Sequence, residues 1–65
     1  MARFRVETVT DPVLGKIFAE LYYPDDASAP MARTPAIYDS HEQAAEAALR
    51  LIKAGFPDQP VRRVR

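Results

Sequence analysis

Residues 40–57 constrain the fold most, because they carry the start, the apolar face and the end of one helix. Ser40 is followed three residues later by Gln43, and Asp39 stands in the same relation to Glu42. A short polar residue with Glu or Gln three positions on is typical of a helix start, so one of these two pairs caps the helix.

The end of the helix is marked by Gly55 and Pro57. We expect the last turn at about Ala54, with Gly55 in a left-handed conformation and Phe56 packed back on Leu51. Pro57 prevents the helix from continuing.

The apolar face of this helix is wide and rich in alanine, which allows close approach to a sheet. It covers about 200° of the helical wheel and comprises Ala44, Ala45, Ala47, Ala48, Leu49, Leu51 and Ile52.

Strand patterns flank the helix on both sides. Residues 3–10 alternate apolar and charged side chains, and residues 16–23 are rich in aromatic and branched ones. The turn 11–15 closes them into a hairpin, because Asp11 can accept a local backbone hydrogen bond and Gly15 supplies a free φ. The sequence also predicts a third strand at 34–38 and a basic strand or tail at 57–65.

The length of 65 residues, without cysteine, allows one small domain over residues 1–65. Of its 31 hydrophobic residues 11 are alanine, so the core is lean. The prediction is a two-layer α+β domain: an antiparallel three-stranded meander on one helix, with a possible short fourth strand, in the order β-β-β-α-β. The fourth strand would be parallel to the first or the third.

Residues 24–33, with two prolines and the Asp25-Asp26 pair, are predicted to be an exposed flexible loop.

Arginines near both ends are the candidate binding residues. If the fourth strand lies beside the first, guanidinium groups share one rim, and aromatic rings on the second strand add stacking surfaces. The candidates are Arg3, Arg5, Tyr22, Arg62, Arg63 and Arg65. The alternative interpretation is structural, since arginines on an edge strand discourage edge-to-edge association and their stems cover apolar surface.

No catalytic, metal or cofactor site is predicted. Asp39, Ser40 and His41 have the side chains of a catalytic constellation, but consecutive residues at a helix start diverge by about 100°. Gly15 and Gly55 stand alone and form no phosphate-binding loop.

The predicted meander followed by Tyr38-Asp39-Ser40-His41-Glu42-Gln43-Ala44-Ala45 is similar in plan to AP2-type and integrase arm-binding domains, which read DNA with the sheet. The tryptophan and dense basic strand residues usual in those families are missing here, so no DNA-contacting residue is carried over.

The sequence favours a non-catalytic binding or regulatory module whose partner is itself or another protein. Phe18 and Tyr22, opposite Ile17 and Leu21, favour a homodimer. The alternative is a weak nucleic-acid-binding sheet domain that uses the arginine rim, although a formal net charge of zero gives no general attraction to polyanions.

No apolar run suggests a membrane span or signal peptide, so we expect a cytoplasmic location. The arginine and alanine bias suggests a bacterial genome rich in G and C.

Overall fold

A computed structural model describes residues 3–64, which form four strands and one helix. The elements are β1 (Phe4–Thr10), β2 (Ile17–Tyr22), β3 (Ala32–Arg33), α1 (His41–Gly55) and β4 (Val61–Val64). They build one sheet in the order β3-β2-β1-β4, in which β2 is antiparallel to β1 and β3. β4 is parallel to β1. The predicted α+β class, with a meander on one helix and a short last strand, is confirmed.

The turn between β1 and β2 forms for the predicted reasons. The Asp11 carboxylate accepts hydrogen bonds from the backbone N–H groups of Val13 and Leu14, at 2.8 and 3.0 Å. Gly15 then adopts a φ of 70°, a conformation that a side chain would strain. Val13 and Leu14 themselves are exposed at the tip of the turn.

The predicted position of the third strand is wrong, because β3 lies at Ala32–Arg33 rather than at 34–38. These two residues had been predicted as the end of the exposed loop 24–33. Thr34 still contacts β2: its N–H donates to the Ala19 carbonyl, and its hydroxyl accepts from the Ala19 N–H. Pro35 has no N–H to donate, and the chain meets β2 again only at Tyr38, which bridges to Ile17.

The core lies between α1 and the two central strands. Ala44, Ala45 and Ala48 are almost completely buried, so the backbone of α1 comes close to β1 and β2. Val6, Ala19 and Leu21 face it from the sheet. The core cluster comprises Phe4, Val6, Ile17, Ala19, Leu21, Ala44, Ala45, Ala48 and Ile52, with Tyr38 and Val61 packed against it.

Of the two capping pairs that the sequence offers at the start of α1, the structure has the first, with Ser40 as the N-cap. Its hydroxyl accepts the Gln43 N–H at 3.1 Å, while the Gln43 amide oxygen accepts the Asp39 N–H at the same distance. Both bonds satisfy N–H groups at the helix start, where the α-helix itself offers no acceptor.

The predicted end of α1 is wrong in two details. Gly55 is the last helical residue and has no left-handed φ; instead the N–H of Phe56 donates to the Ile52 carbonyl. The Phe56 ring packs on Phe4, with ring centroids 5.4 Å apart, and not on Leu51, which is 58% exposed. Phe4 attracts the ring because it is the larger apolar partner and lies at the adjacent end of the core.

In the described range α1 is the single helix, and it has 15 residues. It is not long and apolar enough to cross a membrane.

Replacing Ala48 with glutamate should destabilise the fold by at least about 3 kcal/mol, because Ala48 is 0% exposed and the new carboxylate would be buried without a partner. Ala54→Glu, at an exposed position of α1, is the matched control. Urea unfolding measures the difference in the free energy of unfolding between the two variants. Equal midpoints would contradict the packing of α1 described here.

Candidate binding surface

The predicted arginines lie on two different faces of the sheet. Arg3, Arg5 and Arg62 gather on the face away from α1, together with Tyr22. Arg63 instead projects on the side of α1, where it meets Glu42. Arg65, the remaining candidate, lies outside the described residues. The structure therefore joins three of the arginines with Tyr22 and separates Arg63 from them.

Asp25 holds the first group together. Its carboxylate lies 2.8 Å from Arg3 Nε and 3.4 Å from Arg62 Nε, and its backbone carbonyl accepts a hydrogen bond from Arg5. The hydrogen bond from Arg3 is the main cause that holds the pKa of Asp25 below its ordinary value. Two guanidinium groups thus share one carboxylate, which leaves one excess positive charge in this cluster.

Tyr22 is covered by charged side chains rather than by a second layer. The Arg5 guanidinium carbon lies 3.9 Å from the centre of its ring, and its hydroxyl donates to Glu20 at 3.0 Å. The residue is only 7% exposed. Burial, followed by the hydrogen bond to Glu20, raises the pKa of Tyr22.

Further ion pairs cover the same face. Arg5 Nε lies 2.8 Å from a Glu7 carboxylate oxygen, although its N–H makes no well-aligned hydrogen bond, and Arg33 pairs with Glu20 at 3.2 Å. Each described arginine of this face therefore already has a carboxylate beside it. With Tyr22 buried in this way, the face also offers a second copy less apolar surface than the sequence indicated.

Beside Arg63 the structure has a recess that the sequence did not reveal. It has a volume of about 290 Å³ and is lined by Val6, Thr8, Ala45, Arg63 and Val64. It forms because α1 packs on β1 and β2 and leaves β4 largely uncovered. No sequence pattern indicated it, since its lining comes from three elements whose placement depends on the parallel pairing of β4.

Charged groups from β4 and α1 meet at this recess. The Glu42 carboxylate accepts hydrogen bonds from both terminal nitrogens of Arg63, at 3.2 and 3.3 Å. The hydrogen bond from Arg63 is the main cause that lowers the pKa of Glu42. Both side chains are about half exposed, and exposed pairs of this kind contribute only about 0–1 kcal/mol.

The polar residues at the start of α1 do not converge. Ser40 caps the helix, while Asp39 forms an ion pair with Lys16. His41 Nδ1 lies 2.6 Å from the hydroxyl of the buried Thr8. Together with Glu42, which turns to Arg63, these side chains point to four separate partners.

The outer edge of β4 carries backbone groups that no other described strand pairs with. The Phe4 N–H donates to the Pro60 carbonyl, and the register then directs the N–H groups of Arg62 and Val64 toward β1. The alternating pattern of a strand turns the N–H and C=O groups of Val61 and Arg63 outward. This edge and the recess lie side by side.

Across residues 3–64, no three His, Asp or Glu side chains are grouped so that they could hold a metal ion. Comparison with protein-family models, with curated proteins and with solved structures finds no match. The similarity in plan to AP2-type and integrase arm-binding domains therefore gives no family assignment, and function has to be inferred from this geometry.

Replacing Arg3 with glutamine should raise the pKa of Asp25 toward its ordinary value, because the largest cause of the depression is removed. Arg50→Gln, on α1, is the control. Carboxyl-carbon NMR titration measures the pKa of Asp25 in both variants. A depressed pKa means that the ionised carboxylate stabilises the fold at neutral pH, and this contribution is lost as the pH falls through the folded-state pKa. An unchanged Asp25 titration in Arg3→Gln would contradict the pairing.

Proposed function

We propose that the protein is a small non-catalytic binding module and that it binds an extended peptide segment along the free edge of β4. The observation that carries this proposal is the free edge itself, with outward backbone groups at Val61 and Arg63 directly beside a recess. In strand addition, such backbone groups give affinity and an adjacent recess selects side chains. A cytoplasmic location belongs to this proposal.

A different protein fits this edge better than a second copy does. The registers of an antiparallel β4–β4 pair with the greatest overlap place an arginine of one copy directly opposite an arginine of the other, because Arg62 and Arg63 are the two middle residues. Like charges directly opposite each other destabilise a strand pair. The predicted homodimer stays a prediction, and light scattering can test it.

The nucleic-acid alternative has less support. A polyanion would have to compete with Asp25 for Arg3 and Arg62 and with Glu7 for Arg5.

We expect no salt-dependent NMR shift when single-stranded oligonucleotide is added at low salt, since phosphate binding by free arginines is what gives such a dependence. The joint variant Arg62→Ser, Arg63→Ser and Arg65→Ser is the control. A shift in the native protein that disappears in this variant would favour the nucleic-acid function instead.

Peptides selected from a random phage-displayed library should protect the amides of Val61 and Arg63 from hydrogen exchange. The amides of Arg62 and Val64, directed at β1, serve as internal controls. Arg63→Pro removes an outward N–H at an edge position, where proline is tolerated. It should bind these peptides about tenfold more weakly than Arg63→Gln, which keeps that N–H and loses the same charge.

Selected peptides that leave both amides unprotected would contradict the proposal, and so would a library that yields no binder. The hydrogen-exchange measurement uses the native protein, so it tests peptide binding at the β4 edge even if Arg63→Pro fails to fold.

A further inference from the structure

Resting on the proposed function, we infer that the β4 edge selects an acidic segment, and that a carboxylate side chain of the added strand enters the recess and binds the guanidinium of Arg63. The binding site is the recess lined by Val6, Thr8, Ala45, Arg63 and Val64. The ligand class is an extended peptide with a glutamate or aspartate on the side that faces α1.

The register brings such a side chain to the recess. Arg63 lies opposite Val6, and Val6 packs against α1. A residue paired with Arg63 on the free edge therefore projects toward α1 as well, since directly paired residues share a face of the sheet.

Arg63 keeps hydrogen-bond donors that a second carboxylate can use. A guanidinium group carries five N–H donors, and Glu42 engages one on each terminal nitrogen of Arg63. The remaining donors can bind a second carboxylate.

Glu42 then acts as an internal competitor for the ligand. It holds Arg63 in the free protein through an exposed, weak ion pair, so an incoming carboxylate can share or replace it. Removing the Glu42 charge should strengthen binding, whereas removing the Arg63 charge should weaken it. A purely structural ion pair would not give opposite signs, because both substitutions break the same contact.

The test repeats the library selection on variants. Acidic residues should be enriched at one position with the native protein and with Arg62→Gln, but not with Arg63→Gln. For the best acidic peptide, Arg63→Gln should weaken binding about tenfold. Glu42→Gln should tighten it about two- to fivefold, which is the size of a weak exposed pair. Glu46→Gln makes the same charge change one turn along α1 and is expected to have little effect.

The outcomes separate the two proposals. Peptides that protect Val61 and Arg63 without acidic enrichment, or weaker binding by Glu42→Gln, would overturn the acidic specificity and leave the edge-binding function standing. Peptides that leave both amides unprotected would overturn both. Equal tightening by Glu46→Gln would show a general charge effect and would also overturn the role of the recess.

Discussion

The close packing of one alanine-faced helix on two strands determines most of this structure. Ala44, Ala45 and Ala48 bring the backbone of α1 near Val6 and its neighbours, and this contact supplies most of the buried core. One helix of 15 residues covers β1 and β2 but does not extend over β4. The recess and the uncovered last strand are therefore a direct result of having a single helix over a four-stranded sheet.

The opposite face of the sheet is covered by paired charges. Arg5 stacks on Tyr22, and Asp25 joins Arg3 to Arg62, so long polar side chains cover surface that would otherwise need a second apolar layer. Each exposed pair contributes little by itself. Their joint effect is that Arg3, Arg5 and Arg62 each have a carboxylate beside them within the molecule.

Several features that depend on neighbouring residues could be predicted from the sequence, although the conformation of Gly55 at the end of α1 could not, and the contacts between distant residues were largely missed. The Gly15 turn is local and was predicted correctly, and the Ser40 cap was one of two local alternatives. The position of β3 was missed because a threonine hydroxyl, Thr34, replaces a backbone partner beside Pro35. The predicted arginine rim includes both Arg62 and Arg63, but adjacent residues of a strand face opposite sides, so the strand pattern itself could have separated them. The partners of these arginines lie 21 and 37 residues away, and no pattern along the chain indicates them.

The parallel pairing of β4 with β1 has a consequence for the order in which contacts can form. The hairpin and the helix each form within a short stretch of chain. In contrast, β2, β3 and α1 all lie between β1 and β4 along the sequence. Closing that long loop costs entropy, which is offset by the four register pairs from Phe4–Val61 to Glu7–Val64, by the packing of Val61 and by the ion pairs of Arg62 and Arg63. The strand that offers the free edge is thus also the strand whose sheet pairing spans the longest stretch of chain.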